Sequence, residues 1–144
     1  MIRKIKDTDI TNVMTIWVKG NFFANNFIEK DYWLEIYNSK KEDFLHNYQT
    51  FVYTENNEIL GFISTYQEKI KAIFVKQDYR RKGIGKKLIN YCKNNNKVME
   101  VQLYEKNINA VLFFNSMDFK NTKVQLDNKF AEKEYIMLWK NDEF

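Results

Sequence analysis

The order of periodicities along the chain predicts an α/β (α+β) fold, a mixed sheet of about seven strands flanked by helices, in one domain over residues 1–144. Three observations carry the prediction. Helical spacing dominates between Ile10 and Tyr48, and period-two alternation takes over from Thr50. An apolar strand, Lys69 to Val75, runs through a basic glycine loop into a helix and then into a further strand at Val98, which requires a parallel crossover. Hydrophobic residues make up 44% and aromatic residues 17% of the chain, enough to bury a substantial core.

The elements follow in order. Ile2 to Lys6 alternates apolar and basic residues as a first strand, and Asp7 to Asp9 supplies N-cap chemistry. Ile10, Val13, Met14 and Trp17 lie on one face of a helix, and the aromatic run Phe22 to Ile28 is irregular. Asp31 is placed to cap a second helix with Tyr32, Trp33, Ile36 and Tyr37, and a short amphipathic piece holds Phe44, Leu45 and Tyr48. Thr50–Thr54 and Glu58–Thr65 are strands joined at Glu55-Asn56-Asn57, and Lys69–Val75 is the next. The helix after the loop carries Ile84, Leu88, Ile89 and Cys92 on one face and ends near Asn94. Val98–Tyr104 is a strand, Asn107–Met117 a helix, and Phe119–Leu126 and Glu134–Trp139 the last two strands.

The loop Arg80-Arg81-Lys82-Gly83-Ile84-Gly85-Lys86-Lys87 holds two of only four glycines in the chain. A helix start offers unpaired N–H groups and the positive end of the helix dipole, and glycine lets a ligand approach the main chain. With five basic side chains around it, the loop makes a site for a phosphate-rich anion, where the plainer alternative is a solvated basic helix start. It is not a Walker A loop, since Lys86-Lys87 replaces Lys-Ser/Thr, nor a dinucleotide fingerprint, since position 88 is Leu.

Composition excludes other classes. One cysteine, Cys92, precludes an internal disulfide and fits a reducing compartment, and one histidine and one cysteine cannot build a zinc site, so no metal is expected. No apolar run approaches the roughly 18 residues that span a bilayer, and the amino terminus has no secretory apolar region, so a cytoplasmic location without membrane partners is expected. The net charge of +4 permits nucleic-acid binding, but one phosphorylated ligand accounts for the cluster at 80–87 more economically, and no nucleic-acid partner is expected. Monomer and homodimer both remain open.

Arg80-x-x-Gly83-x-Gly85 between strand and helix resembles the acetyl-CoA pyrophosphate loop of the GNAT superfamily of N-acetyltransferases. Asn107-x-x-Ala110-x-x-Phe113-Phe114-x-x-x-Asp118-Phe119 is similar to the family's N-x-x-A-x-x-F-Y-x-x-x-G-F segment, so the likeness covers nearly the whole chain. It implies a GNAT-like, mostly antiparallel sheet with a central splayed parallel strand pair. It also implies acetyl-CoA or coenzyme A as cofactor. The main chain of Phe74 and Val75 would face the pantetheine and thioester, the loop Arg80, Arg81, Lys82, Gly83, Ile84, Gly85 and Lys86 the pyrophosphate, and Asn107 and Phe114 the cofactor from the second segment. Trp17…Ala24-Asn25-Asn26-Phe27-Ile28…Tyr32-Trp33 resembles a bacterial subgroup of small GNAT enzymes that often carry histidine at the position of Asn25. Trp17, Phe22, Phe23, Phe27 and Trp33 would then line the acceptor pocket, or simply bury helices against the sheet.

The implied chemistry is direct transfer of an acetyl group from acetyl-CoA to a primary amine of a small molecule, peptide or protein, in a ternary complex. The chain departs from the pattern where the family's usual acid, a tyrosine, is Phe114, and where some relatives place a glutamate base this chain has Lys69. Tyr104 near the splay is a candidate proton donor and Glu68 a candidate base, against the alternatives of a core tyrosine and a solvated strand-end charge. His46 reads as a surface residue and Cys92 as core. Few acidic residues among the first-half aromatics favour a small, partly apolar acceptor. The alternative function is a GNAT-fold acyl-CoA-binding module with weak or no catalysis.

Overall fold

All the period-two segments enter one sheet in a computed structural model that describes residues 1–142. The strands are β1 (Ile2–Lys4), β2 (Gln49–Glu55), β3 (Glu58–Tyr66), β4 (Lys69–Val75), β5 (Val98–Tyr104), β6 (Lys120–Asp127) and β7 (Glu132–Lys140), in the spatial order β1-β2-β3-β4-β5-β7-β6. Every neighbouring pair is antiparallel except β4 with β5. The helices are α1 (Ile10–Ala24), α2 (Lys30–Glu35), α3 (Tyr37–Glu42), α4 (Ile84–Lys93) and α5 (Ile108–Ser116).

The two faces of the sheet bury separate apolar clusters. Ile84, Leu88, Ile89 and Cys92 of α4 and Phe114 and Met117 from α5 and its C-terminal end pack with Ile63, Met99, Val101 and Met137 on one face. Val13, Met14 and Trp17 of α1, Trp33 of α2 and Phe44 pack with Val52, Phe62 and Ala72 on the other. The spacing 84, 88, 89, 92 is the apolar stripe of a helix laid on a sheet, as expected. Asn56 and Asn57 both take left-handed backbone, φ 51° and 64°, which suits the tight turn between β2 and β3. Asp118 replaces the glycine of the family pattern with φ 69° after α5.

Some expected boundaries shift. The aromatic residues Phe22 and Phe23 continue α1 to Ala24 instead of forming an irregular stretch, because Asn25 rather than Phe22 ends the helix. Asp31 lies inside the first turn of α2 and Glu29 precedes the helix, so Asp31 favours the helix dipole but is not the cap. Asp9 does not cap α1 with its side chain; its carboxylate takes two hydrogen bonds from the Arg3 guanidinium, at 2.7 and 3.0 Å, and one from the Lys6 N–H at 2.8 Å.

Two features shape the centre of the sheet. The register between β3 and β4 passes from Ser64↔Ala72 to Thr65↔Ile70, so Lys71 is an extra residue, a β-bulge that bends β4. The parallel β4–β5 pair holds only at Lys69↔Glu100 and Ile70↔Val101 and then parts, while β5 stays paired with β7 along its whole length. Gly20 lets α1 sit close over the end of β4, since a Cβ there would overlap the Phe74 ring.

Candidate active site

The parting of β4 and β5 leaves main-chain groups facing a gap. Lys76 N–H donates to Leu60 O at 2.8 Å, toward β3. Strand alternation therefore turns Phe74 toward β3 as well, and turns the N–H and C=O of Ile73 and Val75 into the gap. On the opposite side Glu100 N–H donates to Glu68 O at 2.8 Å, toward β4, and Glu105 N–H to Lys133 O at 2.9 Å, toward β7. The same alternation directs Gln102 and Tyr104 into the gap. Val75 O is taken by Arg80 Nε at 3.4 Å and Tyr104 O by Asn107 N–H at 3.0 Å; the groups that remain, among them the N–H groups of Val75 and Tyr104, edge a slot in which an amide-bearing chain can extend the ladder.

At the wide end of this slot lies the basic loop. Arg81 and Gly83 both take left-handed backbone, φ 64° and 83°, and α4 begins immediately after, at Ile84. No atom lies within 4 Å of a Cβ built on Gly83, so the glycine opens the loop to an approaching ligand. A Cβ on Gly85 would come within 3.3 Å of the Phe113 ring, so this glycine lets α4 approach α5. The first-turn N–H groups of Ile84, Gly85 and Lys86 have no partners within the helix. The Ile84 side chain is buried, so its main chain alone faces outward. Lys82 and Lys87 lie over the rings of Tyr79 and Tyr53, at 5.3 and 5.6 Å from their centroids. Arg80 turns inward instead: its Nε donates to Val75 O at 3.4 Å and its guanidinium stacks on Phe23 at 4.8 Å. It shapes the loop against the end of β4.

A cleft of about 460 Å³ passes through the gap and is lined from both faces of the sheet. Trp17, Asn21, Asn25, Trp33 and Phe74 line it on the α1–α2 side, and Asn107, Ala110 and Phe114 on the α5 side. Asn107 caps α5, its Oδ1 accepting from Ala110 N–H at 3.4 Å, which leaves its side-chain NH₂ as a donor. Phe114 is packed between Phe113 and Phe119, with ring centroids 5.2 and 5.0 Å away, and offers no proton.

Tyr104 lines the same cleft, and its phenol donates to Asp127 Oδ2 at 3.2 Å. Burial, and then the negative charges of Asp127 and Glu134, push its pKa well above the ordinary phenol value. Glu134 also lines the cleft and accepts from Gln102 Nε2 at 2.8 Å. At the narrow end Lys40, Lys69 and Lys71 gather near Glu100. Burial, then Lys69 and Lys40, lower the Lys71 pKa.

The structure redistributes several expected site residues. Trp17 and Trp33 line the cleft, and Phe27 backs Tyr104 edge-on at 5.3 Å. Phe22 and Phe23 do not line it: Phe22 lies under Lys30, and Phe23 is 49% exposed beneath Arg80. Glu68 sits exposed in the β3–β4 turn at the far end of β4, roughly 20 Å of strand from Val75. It lines a separate, open hollow with Gln49, Tyr66 and Asn95, not the cleft. The cleft is also less poor in acidic groups than the aromatic half of the chain implies, because β5 and β7 bring in Glu100 and Glu134. The signal for Glu134 was its register, directly opposite Tyr104. His46 is a surface residue beside Glu42, and Cys92 is buried, its thiol pushed up to about 11 by desolvation. Among the described residues no cluster of three or more metal-ligating side chains forms, and no helix is long and apolar enough to cross a membrane.

Comparison with known proteins agrees with this geometry. Residues 21–132 match the acetyltransferase (GNAT) domain family. The chain is 26% identical over 140 residues to the peptidyl-lysine N-acetyltransferase YiaC of Escherichia coli, covering 96% of each chain. The solution structure of apo YjaB from Escherichia coli superimposes with a TM-score of 0.84 at 19% identity, covering 96% of each chain. The PaiA N-acetyltransferase of Thermoplasma acidophilum, solved in complex with coenzyme A, does so with a TM-score of 0.80 at 17% identity, covering 98% of each chain.

Proposed function

The chain belongs to the GNAT acetyltransferase family, and from that premise we propose that residues 1–144 act as one domain that transfers the acetyl group of acetyl-CoA directly to a lysine-type primary amine of a peptide or protein. The observation that carries this is the cleft that passes between β4 and β5 and is lined from both faces of the sheet. Such a passage lets a thioester enter from the α4–α5 face and an amine meet it from the α1–α2 face. The name of the Escherichia coli relative, a peptidyl-lysine N-acetyltransferase, supports the peptide acceptor over a small molecule.

The residues present fit the cofactor. The first turn of α4 and the open Gly83 suit a pyrophosphate, with Arg81, Lys82 and Lys86 adding positive charge. The gap-facing amides of Ile73, Val75, Gln102 and Tyr104 suit pantetheine, and the Asn107 amide adds a donor beside them. When bound, acetyl-CoA supplies an acyl group on a thiol of ordinary pKa near 8.5, a good leaving group. Val75 N–H offers a main-chain donor to the charge that develops on the carbonyl oxygen. Glu134, held by Gln102, takes the amine proton directly or through water. Tyr104, kept protonated by burial, passes its proton to the departing thiolate as it takes up the one that Glu134 removed from the amine, so that no buried phenolate is left.

Phe114 favours one second reading, an acyl-CoA-binding module without turnover, since the phenol the family usually has there is absent. Thiol release from acetyl-CoA, measured against lysine-containing peptides and small amines, separates the two. Amine-dependent release that is faster with peptides supports transfer to a peptidyl amine. Calorimetric binding of acetyl-CoA without release on any amine supports the module.

A further inference from the structure

The cleft contains two buried polar atoms that the protein itself does not satisfy. Asn25 Oδ1 and Trp33 Nε1 have no hydrogen-bond partner among the described residues, although each residue is only 8% exposed. Leaving such groups unpaired is costly, so their survival in a cleft wall points to a ligand that pairs them.

The polarity of Asn25 is set by its neighbours. Trp17 O is a carbonyl and can only accept, so Asn21 must present its Nδ2 there, at 3.0 Å. The Asn21 Oδ1 is then turned to Asn25, which donates its own Nδ2 at 2.9 Å. The remaining atom, Asn25 Oδ1, is an acceptor. Trp33 Nε1 is a donor and nothing else. Trp33 is in turn held edge-on by Trp17 and Tyr32, with centroids 6.0 and 5.0 Å away, which fixes its ring. The wall therefore presents one fixed acceptor and one fixed donor in an otherwise aromatic surround.

We propose that Asn25 and Trp33 form an acceptor-recognition subsite, in which Asn25 Oδ1 accepts from an N–H of the incoming molecule and Trp33 Nε1 donates to an oxygen that it carries. The class of molecule is an amide-bearing primary amine, not a plain alkylamine, which has no oxygen for Trp33. Asn21 is a positioning residue that keeps Asn25 in its accepting orientation. The subsite rests on the acetyltransferase reading for its purpose, but its occupancy is measurable without turnover.

The competing explanation is one structural water bridging the two atoms. Calorimetric titration of the protein with Nα-acetyl-lysine methylamide, and separately with n-pentylamine, tests the subsite directly. The expected result is tighter binding of the amide. Trp33→Phe, which keeps an aromatic ring but removes the pyrrole half of the indole with its N–H, and Asn25→Leu should each weaken amide binding about tenfold, the equivalent of one hydrogen bond. Both variants should melt lower, Asn25→Leu because it orphans the buried Asn21 Oδ1 and Trp33→Phe because the smaller ring leaves a void, so n-pentylamine binding, expected to stay unchanged, is the control for a general loss of the cleft. Equal binding of the two amines, or variants that bind the amide normally, would overturn the proposal. Variants that lose the amide and n-pentylamine alike would assign the two residues to the shape of the cleft and would overturn it too. Thiol release is read on the same samples: variant-sensitive amide binding without any release would sustain the subsite and sink the acetyltransferase reading alone.

Discussion

The phenol of Tyr104 donates a hydrogen bond to Asp127 Oδ2 over 3.2 Å, at the wide end of the gap between β4 and β5. Asp127 is anchored in turn by the main-chain N–H groups of Lys129 and Phe130, at 3.1 and 3.2 Å. The phenol is thus oriented by a carboxylate that is itself immobilised, which suits a group required to release and regain a proton. Tyr104→Phe should lower kcat by about 10²–10⁴, the usual worth of positioned proton transfer, with little change in acetyl-CoA affinity. Because the phenol pKa is raised, the pH–rate profile of the wild type should show no alkaline loss attributable to Tyr104 up to about pH 10. Stopped assays across pH on both proteins check this.

The loop is tested by charge and bulk at its glycines. Gly83→Glu places a carboxylate where the phosphate site is proposed and should weaken coenzyme A binding by about 100-fold or more in calorimetry, roughly the 3 kcal/mol that two charge-assisted contacts supply. Its left-handed backbone adds about 1–2 kcal/mol of strain for any residue with a Cβ, so the circular dichroism spectrum should persist while the melting point falls.

Gly20 and Phe74 make a prediction about stability. A methyl group on Gly20 would overlap the Phe74 ring, so Gly20→Ala should destabilise the fold by about 1–3 kcal/mol, read by urea unfolding. Displacement of the ring should also raise the KM for the amine, because Phe74 lines the cleft.

Arg3 and Asp9 govern acid stability at the edge of the sheet. The hydrogen bonds from Arg3 hold the Asp9 carboxyl below its ordinary pKa, with burial opposing. A depressed pKa stabilises the native state above the unfolded value of about 3.9, and that stability is lost as pH falls through the folded value. Asp9→Asn should therefore cost about 1.5–3 kcal/mol at pH 7 and progressively less below pH 4, where the wild type loses the same contribution. Unfolding curves for both proteins between pH 3 and 7 test the convergence.

Much of this arrangement was legible before the structure, for identifiable physical reasons. Lys69–Val75 and Val98–Tyr104 emerge with both boundaries as expected, because period-two runs flanked by turn residues are local signals. The loop from Arg80 to Gly85 was legible because two of four glycines sit beside a basic helix start. The residues that escaped depend on non-local pairing. Glu134 reaches the cleft only because β7 lies beside β5 with Glu134 opposite Tyr104. Glu68 misses it because the strands part at the end of β4 far from the turn that carries it. The close approach of Gly20 to Phe74 links residues far apart in the chain and has no local signature. The family resemblance implied a pocket role for Phe22 and Phe23, but they lie on the helix flank that the cleft does not reach.

The central claim is that coenzyme A lies between β4 and β5 with its pyrophosphate on the start of α4. Amide NMR of the labelled protein titrated with coenzyme A tests it most directly. The account predicts that the largest shifts fall on Ile73, Val75, Gly83, Ile84 and Gly85, with smaller ones at Gln102 and Tyr104. Shifts centred instead on Gln49, Gln67 and Asn95, around the separate hollow, or no shifts at all, would contradict it.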